Sequence, residues 1–277
     1  MMNGQAAEFR RLARQSARAA APAGQTPRFV SLVGGKGGVG TTTLGVNVAV
    51  AMAAQGQRVI LVDANLYRAD VANMCRLNPP GSVADVLAAR RDVHEIFAAG
   101  PGGIQVAAGL WAPGVVANYT EQSQERLLRQ LKSLGRHADV ILLDVGCGAS
   151  DVVGRFWKAS DHVVLVTTPD SVAIMDSYAT IKTLDDAGGN TQLGVIVNHA
   201  ETGDEALAVH QRLNQSCERF LGKSIHLLGI LETDERLPGA LRSGKPVVLS
   251  APTSAIAVTF DQIAGQLIEH PRKRATA

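Results

Sequence analysis

Gly34-Gly35-Lys36-Gly37-Gly38-Val39-Gly40-Thr41-Thr42-Thr43 follows an apolar, β-branched run and opens a long stretch of helical pattern, and that placement decides the fold. Glycines at this density let backbone N–H groups turn inward around an anion, and a helix starting there adds the partial positive charge of its amino end. An ordinary glycine-rich turn needs neither the strand before it nor the helix after it. Two chemistries compete for such a loop. Gly35-x-Gly37-x-x-Gly40 satisfies the dinucleotide fingerprint, and Asp63, ending the next strand, sits where a ribose-binding carboxylate belongs. Gly-x-x-x-x-Gly-Lys-Ser/Thr fits Gly35 through Thr42 at every fixed place but one, because Thr41 holds the position of the lysine.

The choice between them is made further along the chain. Val140-Ile141-Leu142-Leu143-Asp144 is an apolar strand ending in aspartate, the arrangement that holds Mg²⁺ beside a phosphate loop, and a dinucleotide fold has no need of it. Outward from these two motifs, short apolar runs alternate with helical patterns. Strands are expected over 28–33, 58–63, 103–107, 139–144, 162–167, 193–198 and 225–231, with helices over 42–55, 121–134, 151–158, 171–185, 205–220 and 255–269. The alternation predicts an α/β fold: a mostly parallel, twisted sheet with helices on both faces, which explains why the strands are apolar nearly throughout. Ligands in such folds bind at the carboxyl ends of the strands, so 34–43, 63–70, 144–148 and Asn198 are expected on one rim.

Composition narrows the rest. With 46% hydrophobic and 19% charged residues in 277, the chain can bury one large core. Residues 28–270 read as one nucleotide-binding domain, 1–27 as a basic arm and 271–277 as a short basic tail. Residues 1–28 carry Arg10, Arg11, Arg14, Arg18 and Arg28 against Glu8, and the tail adds Arg272, Lys273 and Arg274, so the formal charge of +2 conceals an acidic body. That balance argues against a nucleic-acid groove across the fold. No apolar run reaches membrane-spanning length and the arginines of the arm stand where a signal peptide would be apolar, so a cytoplasmic protein is expected. Cys75, Cys147 and Cys217 form no Cys-x-x-Cys pair and read as reduced thiols. Ile256, Phe260, Ile263 and Leu267 make a stripe at helical spacing that reads as the core face of the last helix rather than as a membrane anchor. The basic tail could add weak attraction to the inner face of the cell membrane.

With these residues in view, the chain resembles the MinD/ParA-type P-loop ATPases, and within them the FlhG group. Lys36-Gly37-Gly38-Val39-Gly40 is similar to their deviant Walker A motif, Val62-Asp63-Ala64-Asn65 to switch I and Asp144-Val145-Gly146-Cys147-Gly148 to switch II. The similarity to FlhG extends through Gly100-Pro101-Gly102-Gly103, Thr167-Thr168-Pro169-Asp170, Asp176-Ser177-Tyr178 and Glu218-Arg219-Phe220-Leu221-Gly222. The resemblance implies ATP with Mg²⁺ as ligands, cradled by Gly35, Lys36, Gly37, Gly38, Val39, Gly40, Thr41, Thr42 and Thr43. It further implies Thr42 and Asp144 at the metal, Lys36 and Asp144 in catalysis, Asp63 at the nucleotide and Asn198 reading adenine. Lys36 would reach across an ATP-bridged homodimer. Gln5, Ala6, Phe9 and Arg10 resemble the segment with which FlhG proteins stimulate the GTPase FlhF, with Gly4 and Phe9 departing from the usual aspartate and leucine. An FlhF-like GTPase or flagellar switch-complex proteins are the partners so implied.

Two departures bear on turnover. Thr41 carries no charge where the phosphate-loop lysine belongs, and Asn65 stands where switch I usually has its second aspartate, so hydrolysis is expected to be slow or absent. A degenerate, non-hydrolysing scaffold is the alternative, and an NAD(P)-binding oxidoreductase a distant third. An iron–sulfur role is weighed because Cys147 lies in the segment that carries a cluster ligand in the nitrogenase iron protein. The stretch 108–113, where that family has its second cysteine, contains none.

Overall fold

The computed structural model describes residues 26–65, 68–110, 119–185 and 191–269. Gln5, Ala6, Phe9 and Arg10 and the tail 271–277 lie outside the described residues. In chain order the elements are β1 (Arg28–Gly34), α1 (Thr41–Ala54), β2 (Val59–Asp63), α2 (Val71–Met74), α3 (Val83–Leu87), β3 (Phe97–Ala99), β4 (Gln105–Ala107) and α4 (Glu121–Lys132). They continue as β5 (Val140–Cys147), α5 (Asp151–Ala159), β6 (His162–Thr167), α6 (Ser171–Asp185), β7 (Gln192–Ala200), α7 (Gly203–Leu221), β8 (His226–Glu232), α8 (Arg236–Ser243), α9 (Val247–Ser250) and α10 (Ala255–Glu269).

Eight strands form one sheet in the order β3-β4-β2-β5-β1-β6-β7-β8. Every pairing is parallel except β3 with β4. Alternate side chains of each central strand enter two separate cores, as the pleat requires. Phe29, Val33, Ile60, Val62, Ile141 and Leu143 face α3 to α7. Val30, Leu32, Leu61 and Leu142 face α1 and α10. Phe260, Ile263 and Leu267 are fully buried and Ile256 nearly so, so the stripe on α10 is core. Among the described residues, no helix is long and apolar enough to cross a membrane.

Several element boundaries differ from the sequence expectation for local reasons. β4 begins at Gln105 rather than 103 because Gly102 and Gly103, at φ 63° and 85°, fold into a turn. α7 begins at Gly203 because the Thr202 hydroxyl caps it, accepting from the Glu205 amide at 3.2 Å. The helix expected to 134 stops at Lys132 and tightens into a 3₁₀ turn over Ser133–Arg136. The antiparallel edge strand β3 and the short helices α2, α3, α8 and α9 lack the length for a periodic signal.

Candidate functional site

The parallel order of β2, β5, β1, β6 and β7 carries Asp63, Asp144, Gly34, Thr167 and Asn198 to the same rim of the sheet. The glycine loop runs from the end of β1 into α1. Its first turn is fixed by the Gly35 amide donating to the Val166 carbonyl at 2.9 Å. Gly35 tolerates no side chain, since a Cβ there would lie 2.1 Å from Ser177 Oγ on α6. Gly40 adopts φ 91°, which L-residues avoid, and a Cβ on it would stand 2.5 Å from Asn198 Nδ2. At Gly38, by contrast, added bulk would meet nothing within 4 Å, so the mouth of the loop is open.

Asn198 is buried beneath the loop and donates Nδ2 to the Val39 carbonyl at 2.8 Å, while its Oδ1 has no hydrogen-bond partner. Thr41 is 9% exposed and its hydroxyl packs toward Gly34, where a Cβ would be 2.8 Å from Oγ1. Its side chain therefore brings neither charge nor donor to the mouth of the loop. Lys36 pairs in the same chain with Asp170, Nζ to Oδ1 at 2.8 Å. Asp170 also accepts from the Thr168 hydroxyl at 2.5 Å and from the Ala173 amide at 2.9 Å, at the start of α6. The Lys36 ammonium, then these two donors, hold the Asp170 carboxyl far below its usual range. Both partners are substantially exposed, so the pair contributes at most about 1 kcal/mol and is readily exchanged for a better anion.

On the other side of the loop, Asp63 and Asp144 are register partners on adjacent strands, each about 1% exposed. Asp144 Oδ1 accepts from the Gly146 amide at 3.2 Å, whereas the buried Oδ2 has no partner. Burial pushes the Asp144 carboxyl above its ordinary range, with Asp70 adding to the shift, while the Thr42 hydroxyl beside the carboxylate opposes it. Asp63 is raised further, by burial first and by the Asp144 charge second. Its two oxygens accept from the Asn65 amide at 3.3 Å and the Val71 amide at 3.1 Å. Two desolvated carboxylates, one with an empty lone pair beside a threonine hydroxyl, form a donor set that suits a hard divalent cation. The Mg²⁺ expected from the sequence fits these residues.

The Asn65 side chain lies against Gly146, so the segment after β2 touches the end of β5, and Asn65 Oδ1 accepts from the Arg68 amide at 3.1 Å. Lys36, Gly37, Gly38 and Val39, with Thr168, Pro169, Asp170, His199, Glu201 and Glu205, line a shallow pocket beside the loop mouth. Sequence reading put Asp70 within the rim segment 63–70 and Asp170 within a stretch of resemblance but gave neither a role, and it assigned none to Tyr119. Burial first, and then the Asp63 charge, push the Tyr119 hydroxyl above its ordinary range. Cys147 is exposed at the end of β5, and a Cβ on Gly37 would be 4.0 Å from its sulfur; Cys75 and Cys217 are buried. Among the described residues, no group of three or more His, Cys, Asp or Glu side chains is disposed as a metal cluster.

This sheet with its rim loop is the fold of the P-loop NTPases. It superposes on the cell-division ATPase MinD of Pyrococcus furiosus with a TM-score of 0.74 at 25% identity, covering 87% of this chain and 98% of that one. It also superposes on the septum site-determining protein MinD of Pyrococcus horikoshii, which was solved with Mg-ADP. There the TM-score is 0.73 at 24% identity, over 88% and 96% of the two chains. The chain belongs to the ParA family, whose profile, described as NUBPL iron-transfer P-loop NTPase, matches residues 25–268. Among individual relatives, the antiactivator FleN of Pseudomonas aeruginosa is 29% identical over 88% of this chain and 87% of its own. The flagellum site-determining protein YlxH of Helicobacter pylori is 28% identical over 87% and 82%.

Proposed function

We propose that this chain is a nucleotide-dependent switch that binds ATP with Mg²⁺ at loop 34–43, pairs with a second copy through Lys36 and hydrolyses the nucleotide slowly. The observation that carries the reading is the buried Asp144 carboxylate with its unpartnered Oδ2, set beside Thr42 at the foot of a glycine cradle. Backbone amides from Lys36 to Thr43 and the amino end of α1 receive the phosphates, with Gly35 shaping the turn below them. Thr42 and Asp144 hold the ion, which when bound offsets charge on the β- and γ-phosphates. Asp63 anchors the segment after β2, and Asn198 Oδ1 is the acceptor left for the amino group of adenine.

Slow turnover follows from two missing groups. Thr41 cannot supply a cation, and the amide of Asn65 cannot take a proton. Removing one stabilising donor from a transition state costs about 10²–10³ in rate. Lys36 is the remaining cation of the loop, and exchanging Asp170 for a phosphate of the partner copy couples nucleotide state to pairing. The names of the relatives FleN and YlxH support an output in controlling the number or placement of flagella. In this reading Gln5, Ala6, Phe9 and Arg10 of the basic arm engage an FlhF-like GTPase or switch-complex partner. The working location is the cytoplasm, with the basic tail giving a weak peripheral hold on the membrane. An iron-transfer role is less well supported, because each copy offers a single exposed thiol, Cys147.

The test is a titration with a fluorescent ATP analogue, with and without Mg²⁺, followed by light-scattering mass measurement. Saturable, Mg²⁺-dependent binding and a mass doubling with ATP are expected. Lys36→Ala is expected to keep monomer binding and lose the doubling. No binding at millimolar nucleotide, or binding of NAD without Mg²⁺, would overturn the proposal.

A further inference from the structure

Near its carboxyl end β7 carries one residue more than the strand beside it. Asn198 pairs with Leu231 and Ala200 with Glu232, so His199 has no opposite number on β8. It forms a bulge, and its backbone takes φ 56°, a left-handed conformation that is uncommon for a residue with a side chain. In a regular strand Asn198 and His199 would point to opposite faces of the sheet. Here both side chains reach the same glycine of the phosphate loop. A Cβ on Gly40 would lie 2.5 Å from Asn198 Nδ2 and 3.7 Å from His199 Nε2. The His199 imidazole also borders the pocket lined by Lys36, Gly37, Gly38 and Val39. It is exposed, and among the described residues it makes no hydrogen bond, ion pair or ring contact that would hold it there. Backbone strain that no internal contact of the side chain offsets is the mark of a residue placed for a ligand.

The neighbouring residue shows which part of a ligand would lie there. Asn198 is 2% exposed and its Oδ1 has no partner, so that oxygen calls for a donor. Phosphate oxygens are acceptors, whereas the amino group of adenine donates. The base, rather than the phosphate chain, therefore suits this side of the loop. We infer that His199 is a base-contacting residue, its imidazole packed against the adenine ring beside the Asn198 amide; this rests on the nucleotide-switch reading. The bulge turns the ring out of the strand's alternation and toward the ligand. Asn198 reads the amino group, and His199 adds hold through the face of the ring, which any base offers.

The experiment compares two ligands by calorimetric titration of the full chain in Mg²⁺: ATP, and inorganic tripolyphosphate, which has no base. His199→Gly and His199→Asn both remove the ring, and both residues accept the left-handed backbone. Each is expected to weaken ATP binding by about 10-fold, the scale of one lost base–aromatic stack, and to change tripolyphosphate binding by less than about threefold. The ligand-free His199→Gly chain is expected to melt no lower than wild type, because glycine adopts φ 56° without strain. Unchanged ATP affinity in both variants overturns the inference. Equal losses for ATP and tripolyphosphate overturn it as well, since they would make His199 a brace for the loop. A wild-type chain that binds tripolyphosphate as tightly as ATP also overturns it, while leaving Mg²⁺-dependent phosphate binding intact. A chain that binds neither ligand overturns both this inference and the switch reading.

Discussion

Thr41→Lys returns a cation to the one place where the phosphate loop departs from its pattern. Thr41 is the first residue of α1, and its hydroxyl is turned back toward Gly34. A lysine cannot follow that path, because the stem would run into the loop backbone, so its methylenes must extend toward the open mouth at Gly38. There a charge-assisted hydrogen bond to a phosphate contributes about 1.5–3 kcal/mol. At about 1.4 kcal/mol per factor of ten, nucleotide binds about 10- to 150-fold more tightly. Against this, replacing a buried threonine with a longer side chain costs the free protein about 1 kcal/mol, or about 2–4 °C in Tm. Fluorescence anisotropy with a labelled ADP at fixed Mg²⁺, paired with thermal melts of the ligand-free chain, reads both numbers. Lower stability with unchanged affinity would refute the reasoning, because it would mean that no phosphate lies within reach of the loop mouth.

Gly40→Ala is expected to destabilise the chain by about 2–4 kcal/mol in urea unfolding, combining left-handed backbone strain with loss of the buried bond from Asn198 to Val39. An unchanged midpoint would show that the loop is not braced from below. Asp144→Asn acts through the raised carboxyls. The folded pKa lies above the unfolded one, so the contribution to stability is full at low pH and is lost as pH rises through the folded value. The Tm advantage of Asp144→Asn over wild type, without Mg²⁺, should therefore grow from pH 4 toward pH 8. Equal melting across that range would contradict the burial argument. The same variant should lose the stabilisation that Mg-nucleotide confers on wild type.

The phosphate loop, the apolar strands and the long helices were legible in the sequence because each is written in neighbouring residues. Glycines permit the turn at 34–40, a run such as Val163–Val166 can only be buried on both sides, and the spacing of Ile256, Phe260, Ile263 and Leu267 defines one helix face. The two departures, Thr41 and Asn65, were visible for the same reason. Short elements such as β3 and α2 carry too few residues for a period to register. Tertiary structure alone decided which distant groups meet: Asp63 beside Asp144, Asn198 under Val39, and Lys36 on Asp170. Those pairings depend on strand order and register across dozens of intervening residues, and burial then sets their charge, so no local pattern encodes them.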